Sequence, residues 1–302
     1  MKHDPQKWKF DYERDGYLVV PDCLDAKTLQ ALRAGIEKIS LGLDKLPAHL
    51  RSHVHLEKDF LKSQPDRQDL PPERLGQAIK LIMELPLFSP EFAELICYEP
   101  LLDVLETLFD STEFGFHNYK AIIKSAQVSS AFVWHRDLPY LEHSTPNLIT
   151  AMLCLDDMTE ANGATVVLPG THRIPHEQVG PQDITIAEER LPKDAKHVSV
   201  TCPAGSAVLF HVSIIHGGPA NRSSIPRRNV IGIWSGPDAY PVTPARYVYQ
   251  SVMPRSKDPA RVRQTRMTFP RLFGERAKEV AQFQGGLSTD DKVPGGRMLS
   301  AR

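Results

Sequence analysis

No apolar run in this 302-residue chain approaches the roughly 20 residues that a membrane-spanning helix needs. Neither sign of charge is in surplus: 36 lysines and arginines stand against 37 aspartates and glutamates, a formal net charge of −1. That balance predicts no nucleic acid and no membrane as partner. The opening stretch MKHDPQKWKFDYERDGY has no apolar core of the kind a signal peptide carries. The four cysteines, Cys23, Cys97, Cys154 and Cys202, are scattered and form no CxxC pair. They read as reduced, mostly buried thiols of a cytoplasmic protein. No internal repeat and no low-complexity tract is present. With 41% apolar and 24% charged residues, the chain has length enough for a real core.

What is there changes texture part-way. YLVV (17–20) reads as a strand, and Asp25 then caps a helix whose Leu29, Leu32, Ile36 and Ile39 recur at helical spacing. Residues 40–75 are polar, carry His49, His53 and His55, and read as loop with helical pieces. PERLGQAIKLIMEL (72–85) reads as a helix, and residues 89–109 as two more, opened by Pro90 and Pro100. From 114 to 234 short β-rich runs alternate with turn signals, the spacing of an antiparallel sandwich or barrel. Helices first and sheet second predict a mainly β fold with flanking helices on one outer face of the β-core. The expected organisation is a single domain, 1–302, with a mostly helical flank (1–113), the β-core (114–234) and a C-terminal extension (235–302).

One run in the β-rich part carries chemistry. In WHRDLPY (134–140), strand alternation would turn His135 and Asp137 to one face and Arg136 to the other. A third ligand must come from another strand. The best candidate is His216, read as the end of an apolar strand and followed by Gly217-Gly218, where backbone can crowd a ligand. Two histidines and one carboxylate with three open positions form the arrangement of non-haem Fe(II) oxygenases. Arg227 lies eleven residues after His216, where the next strand should run back past the site. A buried guanidinium needs an anion, and this one suits bidentate capture of the far carboxylate of 2-oxoglutarate.

The residues alone leave other readings open. An HxD pair arises by chance, His216 also reads as a core histidine, and Arg227 as part of a basic surface cluster with Arg222 and Arg228. HVH (53–55) has the form of a zinc-hydrolase HxH but lies in a polar stretch without a strand signal. His211, five residues before His216, would face the other side of one strand. A cupin-like protein that binds a metal or small molecule without turnover is one rival. A peptide or protein hydroxylase with an open basic groove is the other.

FDYERDGYLVVPDCLD (10–25), WHRD (134–137), LDDMTEANGATVVLPGTH (155–172) and HGGPANRSSIPRR (216–228) together resemble the phytanoyl-CoA dioxygenase family of Fe(II)- and 2-oxoglutarate-dependent oxygenases. The resemblance implies a double-stranded β-helix (jelly-roll, cupin-like) core. It implies His135, Asp137 and His216 as ligands of Fe(2+), Arg227 as the 2-oxoglutarate anchor, and O2 as the other co-substrate. Lys120, in preference to Lys124, and Met152, where the family often has tryptophan, fall beside the co-substrate; a solvated lysine and a core methionine are the alternatives. A carboxylate at 137, where related halogenases have a small residue, implies hydroxylation of an aliphatic C–H bond (or a related desaturation or cyclisation), with succinate and CO2 released. The substrate expected is a small organic molecule such as a biosynthetic intermediate, as a free acid or a thioester. Its walls would come from 40–75, 138–147, a lid at 171–196, and 236–250, with Tyr140, His143, Tyr240 and Tyr247. The Arg-rich stretch 255–276 reads as solvated surface or as a phosphate contact. Asn162-Gly163 reads as a tight turn, and His172 as a turn-stabilising residue.

Overall fold

The computed structural model describes residues 4–63, 72–179, 185–242 and 252–262. Its strands are β1 (Tyr17–Val20), β2 (Val54–Leu56), β3 (Ile79–Met83), β4 (Gly115–Lys124), β5 (Phe132–His135), β6 (Leu148–Cys154), β7 (Val166–Val167), β8 (Val198–Ser199), β9 (Ala207–His211), β10 (His216–Gly218) and β11 (Arg227–Ser235). They form a seven-stranded sheet, β1-β9-β6-β11-β4-β3-β2, facing a four-stranded sheet, β5-β10-β7-β8, with antiparallel pairing throughout. This is the expected jelly-roll with flanking helices.

Period-two alternation assigns each face of the large sheet. Tyr119, Ala121 and Ile123 of β4, Val230 and Trp234 of β11, and Ile149, Ala151 and Leu153 of β6 enter the main core. They pack there with Leu32 and Ile36 of helix Ala26–Leu41 and with Leu101, Leu102 and Leu105 of helix Glu99–Phe109. Asp25 caps the first of these helices as expected, its Oδ1 accepting from Thr28 N at 2.9 Å. The intervening residues of the same three strands turn inward. They are Lys120, Ile122 and Lys124, then Arg227, Asn229 and Ile231, then Thr150 and Met152, and all line one cleft.

Away from the cleft, the structure departs from the sequence reading in four places. The helix begun at Pro72 stops at Gln77, and residues 79–83 form β3. All five β3 residues are buried, so no alternation distinguishes this strand from a helical apolar run. The polar stretch before it hides β2, so Val54 and His55 of HVH belong to a strand paired with β3. Helix Pro5–Asp15, capped by Asp4, was not signalled because Tyr12 is the one residue it buries. His211 and His216 belong to different strands, with a turn between them, so strand alternation does not relate them.

At the C-terminal side, Arg255 pairs with Glu99, Asp103 and Glu106 of one helix, which makes it an anchor against the flank and not a phosphate contact. Tyr247 and the Arg-rich run beyond residue 262 lie outside the described residues. No helix among the described residues is long and apolar enough to cross a membrane. The four cysteines are free thiols, three of them buried.

Candidate metal centre and co-substrate cleft

β5 and β10 pair so that His135 and His216 stand directly opposite each other, their ring centroids 4.1 Å apart. β5 ends at His135, and Asp137 reaches the site from a helical turn (φ −74°, ψ −30°). Two backbone donors fix that turn: Asp137 N and Leu138 N both bond to Val212 O, at 2.9 and 3.0 Å. The HxD pair converges, then, through a strand end and a turn; simple alternation along one strand does not place it. His216 opens β10 where the sequence suggested it would close a strand. Gly217 is there for the neighbouring strand: a Cβ would sit 2.9 Å from Phe132 O of β5.

Asp137 Oδ1 lies 3.8 Å from His135 Nε2 and 4.0 Å from His216 Nε2. One ligand atom from each of the three residues falls within 4.8 Å of the others, and all three are buried. The protonation pattern suits a cation. His135 Nδ1 bonds to Val133 O at 2.8 Å and His216 Nδ1 to Ile214 O at 3.1 Å. A carbonyl only accepts, so each Nδ1 carries the proton and each Nε2 lone pair faces the cluster. Burial lowers the pKa of both imidazoles, for His135 to about 3 with the neighbouring His216 adding to it, and so favours the neutral ring at each. Burial pushes the Asp137 carboxyl up, but positive charge on His216 when it is protonated, on Lys120 and on His135 when it is protonated, with the Thr150 hydroxyl, holds the group below its usual range. Its Oδ2 accepts from Thr150 Oγ1 at 2.7 Å. Two neutral imidazoles and an oriented carboxylate are the donor set that Fe(II) accepts.

The other end of the cleft is basic and under-satisfied. Arg227 is 2% exposed, and no carboxylate among the described residues lies on it. Its Nη1 contacts Met158 Sδ at 2.8 Å, and its Nε has no partner among the described residues. Burial lowers its pKa to about 10, which leaves it charged at neutral pH. Asn229 donates to Met152 Sδ at 2.9 Å, while its own Oδ1 is unpartnered. Thioether sulfur is a weak acceptor. Strong donors held against sulfur in a buried cleft are what an absent anion would leave behind, so the residues fit 2-oxoglutarate.

Residues 12–229 match the family model described as phytanoyl-CoA dioxygenase (PhyH). The chain belongs to the phytanoyl-CoA dioxygenase family. Membership makes it an Fe(II)- and 2-oxoglutarate-dependent dioxygenase, the class that the sequence resemblance implied. Among curated relatives it is 26% identical to an L-proline trans-4-hydroxylase of Streptomyces griseoviridis, over 82% of this chain and 93% of that one. It is also 26% identical to an ectoine dioxygenase of Sphingopyxis alaskensis, over 88% and 82%. The fold matches the crystal structure of EctD from S. alaskensis with 2-oxoglutarate and 5-hydroxyectoine, with a TM-score of 0.62, 21% identity and 78% of each chain covered.

In this dioxygenase, then, His135, Asp137, His216, Arg227, Lys120 and Met152 all line one cleft. Lys120, Ile231 and Met152 stand in register across β4, β11 and β6. Lys124 lines the cleft too, but its Nζ is held by Gly163 O at 2.9 Å and by Pro219 O. Met152 both lines the cleft and packs in a core with Cys154, Met158 and Phe210. Sequence reasoning missed Thr150, Thr165, Phe210 and Asn229, although counting in twos from Met152 and Arg227 finds Thr150 and Asn229. It also missed a buried ion pair behind the cleft wall, Lys80 with Glu57 at 3.8 Å. The pair is completed by Ser130 and lies against the rings of Phe60 and Phe132.

Of the expected wall residues, Tyr140 lies beside His135, with ring centroids 6.5 Å apart, and its hydroxyl is buried without a partner. His143 stacks edge-on against His117, and Tyr240 is exposed. Gly163 takes the left-handed conformation expected of its turn, φ +77°. His172 Nε2 bonds to Glu13 O, pinning the first helix. Among the described residues no other group of three His, Cys, Asp or Glu gathers like the triad, and HVH takes no part in one.

Proposed function

We propose that this dioxygenase hydroxylates an aliphatic C–H bond of a small organic molecule, within a single catalytic domain and in the cytoplasm. In this reading His135, Asp137 and His216 hold Fe(II), and Arg227 receives the far carboxylate of 2-oxoglutarate. The observation that carries it is the joint placement of a buried triad and a buried arginine, without a carboxylate partner among the described residues, in one cleft. When bound, the iron supplies the redox chemistry that couples decarboxylation of 2-oxoglutarate by O2 to oxygen insertion, releasing succinate and CO2.

The chain's own residues supply positioning. Val133 O and Ile214 O keep the imidazole protons on Nδ1, so no proton has to leave a ligand nitrogen when metal arrives. Thr150 aims the Asp137 carboxylate. Arg227 sets how far the co-substrate reaches into the barrel, and Met152 and Phe210 exclude water along its length. Because Asp137 occupies the third ligand position, no site is freed for a halide, and hydroxylation or a related desaturation or cyclisation is favoured. Free thiols in all four cysteines are consistent with a reducing compartment. The relatives' small substrates, L-proline and ectoine, support a small molecule as substrate here.

The test is anaerobic reconstitution with Fe(II) and 2-oxoglutarate. A weak visible charge-transfer band should appear in the wild type and be absent in His216→Ala. Succinate should then form only when O2 is admitted. A wild-type protein that takes up no iron would overturn the proposal.

A further inference from the structure

Counting charge in the cleft leaves one cation over. On the iron and 2-oxoglutarate reading above, on which this inference rests, Fe(II) brings two positive charges and Asp137 one negative. The co-substrate brings two negative, and Arg227 one positive. These four sum to zero. Lys80 and Glu57 cancel each other behind the wall. Lys124 is held by two backbone carbonyls and lies 5.5 Å over the Phe132 ring. Burial first, then the charges of Arg227 and Lys80, push its pKa well below the usual lysine value, toward the neutral amine.

Lys120 is left. It is half-buried, lines the cleft, and makes no hydrogen bond or ion pair among the described residues. It shares that cleft with His135, Asp137 and His216, and its charge is felt at all three. In the open cleft, water solvates it. A substrate that binds over the iron displaces that water. A neutral substrate would strand a dry ammonium, which is expensive, whereas an anionic one would convert it to a charge-assisted hydrogen bond. We propose that the molecule hydroxylated here carries a carboxylate or equivalent anionic group, and that Lys120 receives it and so selects the substrate.

The experiment uses Fe(II)- and 2-oxoglutarate-loaded protein without oxygen. Matched pairs of small carboxylic acids and their primary amides, L-proline with L-prolinamide among them, are titrated. Binding is read from the shift of the charge-transfer band and from thermal stabilisation. Acids should bind and amides should not. Lys120→Met should weaken the acids about tenfold to a hundredfold, the range of one charge-assisted hydrogen bond. Lys120→Arg should restore most of that affinity. In both variants the band itself, and the affinity for 2-oxoglutarate, should stay within about threefold of wild type. Amides binding as well as acids, no acid binding at all, or a Lys120→Met protein that loses 2-oxoglutarate affinity would each overturn the inference. The last outcome would give Lys120 to the co-substrate. Failure of the iron reading is separate, since it would remove the band from wild-type protein.

Discussion

The two sheets divide the work unequally. The seven-stranded sheet has the long strands, the continuous core and the aromatic wedge of Phe116, Tyr119 and Trp234. The four-stranded sheet has strands of two to four residues, yet β5 and β10 carry both histidines, and Asp137 follows directly on β5. Stability and chemistry are thereby placed on opposite sides of one cleft. The difference teaches that a metal site needs few residues of regular structure if their backbone is pinned, as Val212 O pins Asp137.

That comparison can be broken by substitution, beginning with the largest expected effect. Asp137→Ala, on the small-sheet side, should reduce hydroxylation to background while leaving the melting temperature of metal-free protein close to wild type. A variant that keeps most of its activity would remove Asp137 from the ligand set. Trp234→Ala, on the large-sheet side, should do the reverse. It should cost about 3–5 kcal/mol of stability, measured by denaturant unfolding, while protein that remains folded still binds iron.

Residues that bridge the two sides sharpen the contrast. Thr150 belongs to the large sheet but orients the Asp137 carboxylate. Thr150→Val should weaken iron binding about tenfold to a hundredfold, the usual effect of losing a group that orients a ligand. Arg227→Lys keeps the charge but loses the planar fork, and should raise the KM for 2-oxoglutarate about tenfold with kcat changed less.

A last contrast is in pH. Burial lowers the pKa of His53, beside β2, and of His211, at the end of β9, to about 4 from an ordinary 6.5. Between those values the unfolded chain binds protons that the folded chain refuses. Stability should therefore fall as pH drops from about 6.5 toward 4, and rise again on return to neutrality. Thermal melts at pH 7.5 and 5.0 check the sign.

The legible parts of the sequence follow the same division. Strands β4 and β11 were readable because one face meets the helices while the cleft face carries Lys120, Lys124, Arg227 and Asn229, which imprints alternation on the residues. β3 was misread because burial on both faces erases that imprint. The triad was readable from residue type: a carboxylate two residues after a histidine, and a second histidine before paired glycines, are rare together. Its geometry was not, since Asp137 sits on a turn and Gly217 serves β5. The Lys80–Glu57–Ser130 cluster was invisible because its members come from three separated segments, and only folding brings them within reach.

One carbonyl oxygen has a consequence for how such a site can change. Val212 O holds the backbone of Asp137 and Leu138, and His216 lies four residues further along the same turn-and-strand unit. A small tilt of that unit would carry two of the three ligands as a set, with their mutual spacing kept and their aim at the barrel mouth altered. Substitutions packed against Val212 should thus act on Asp137 and His216 together.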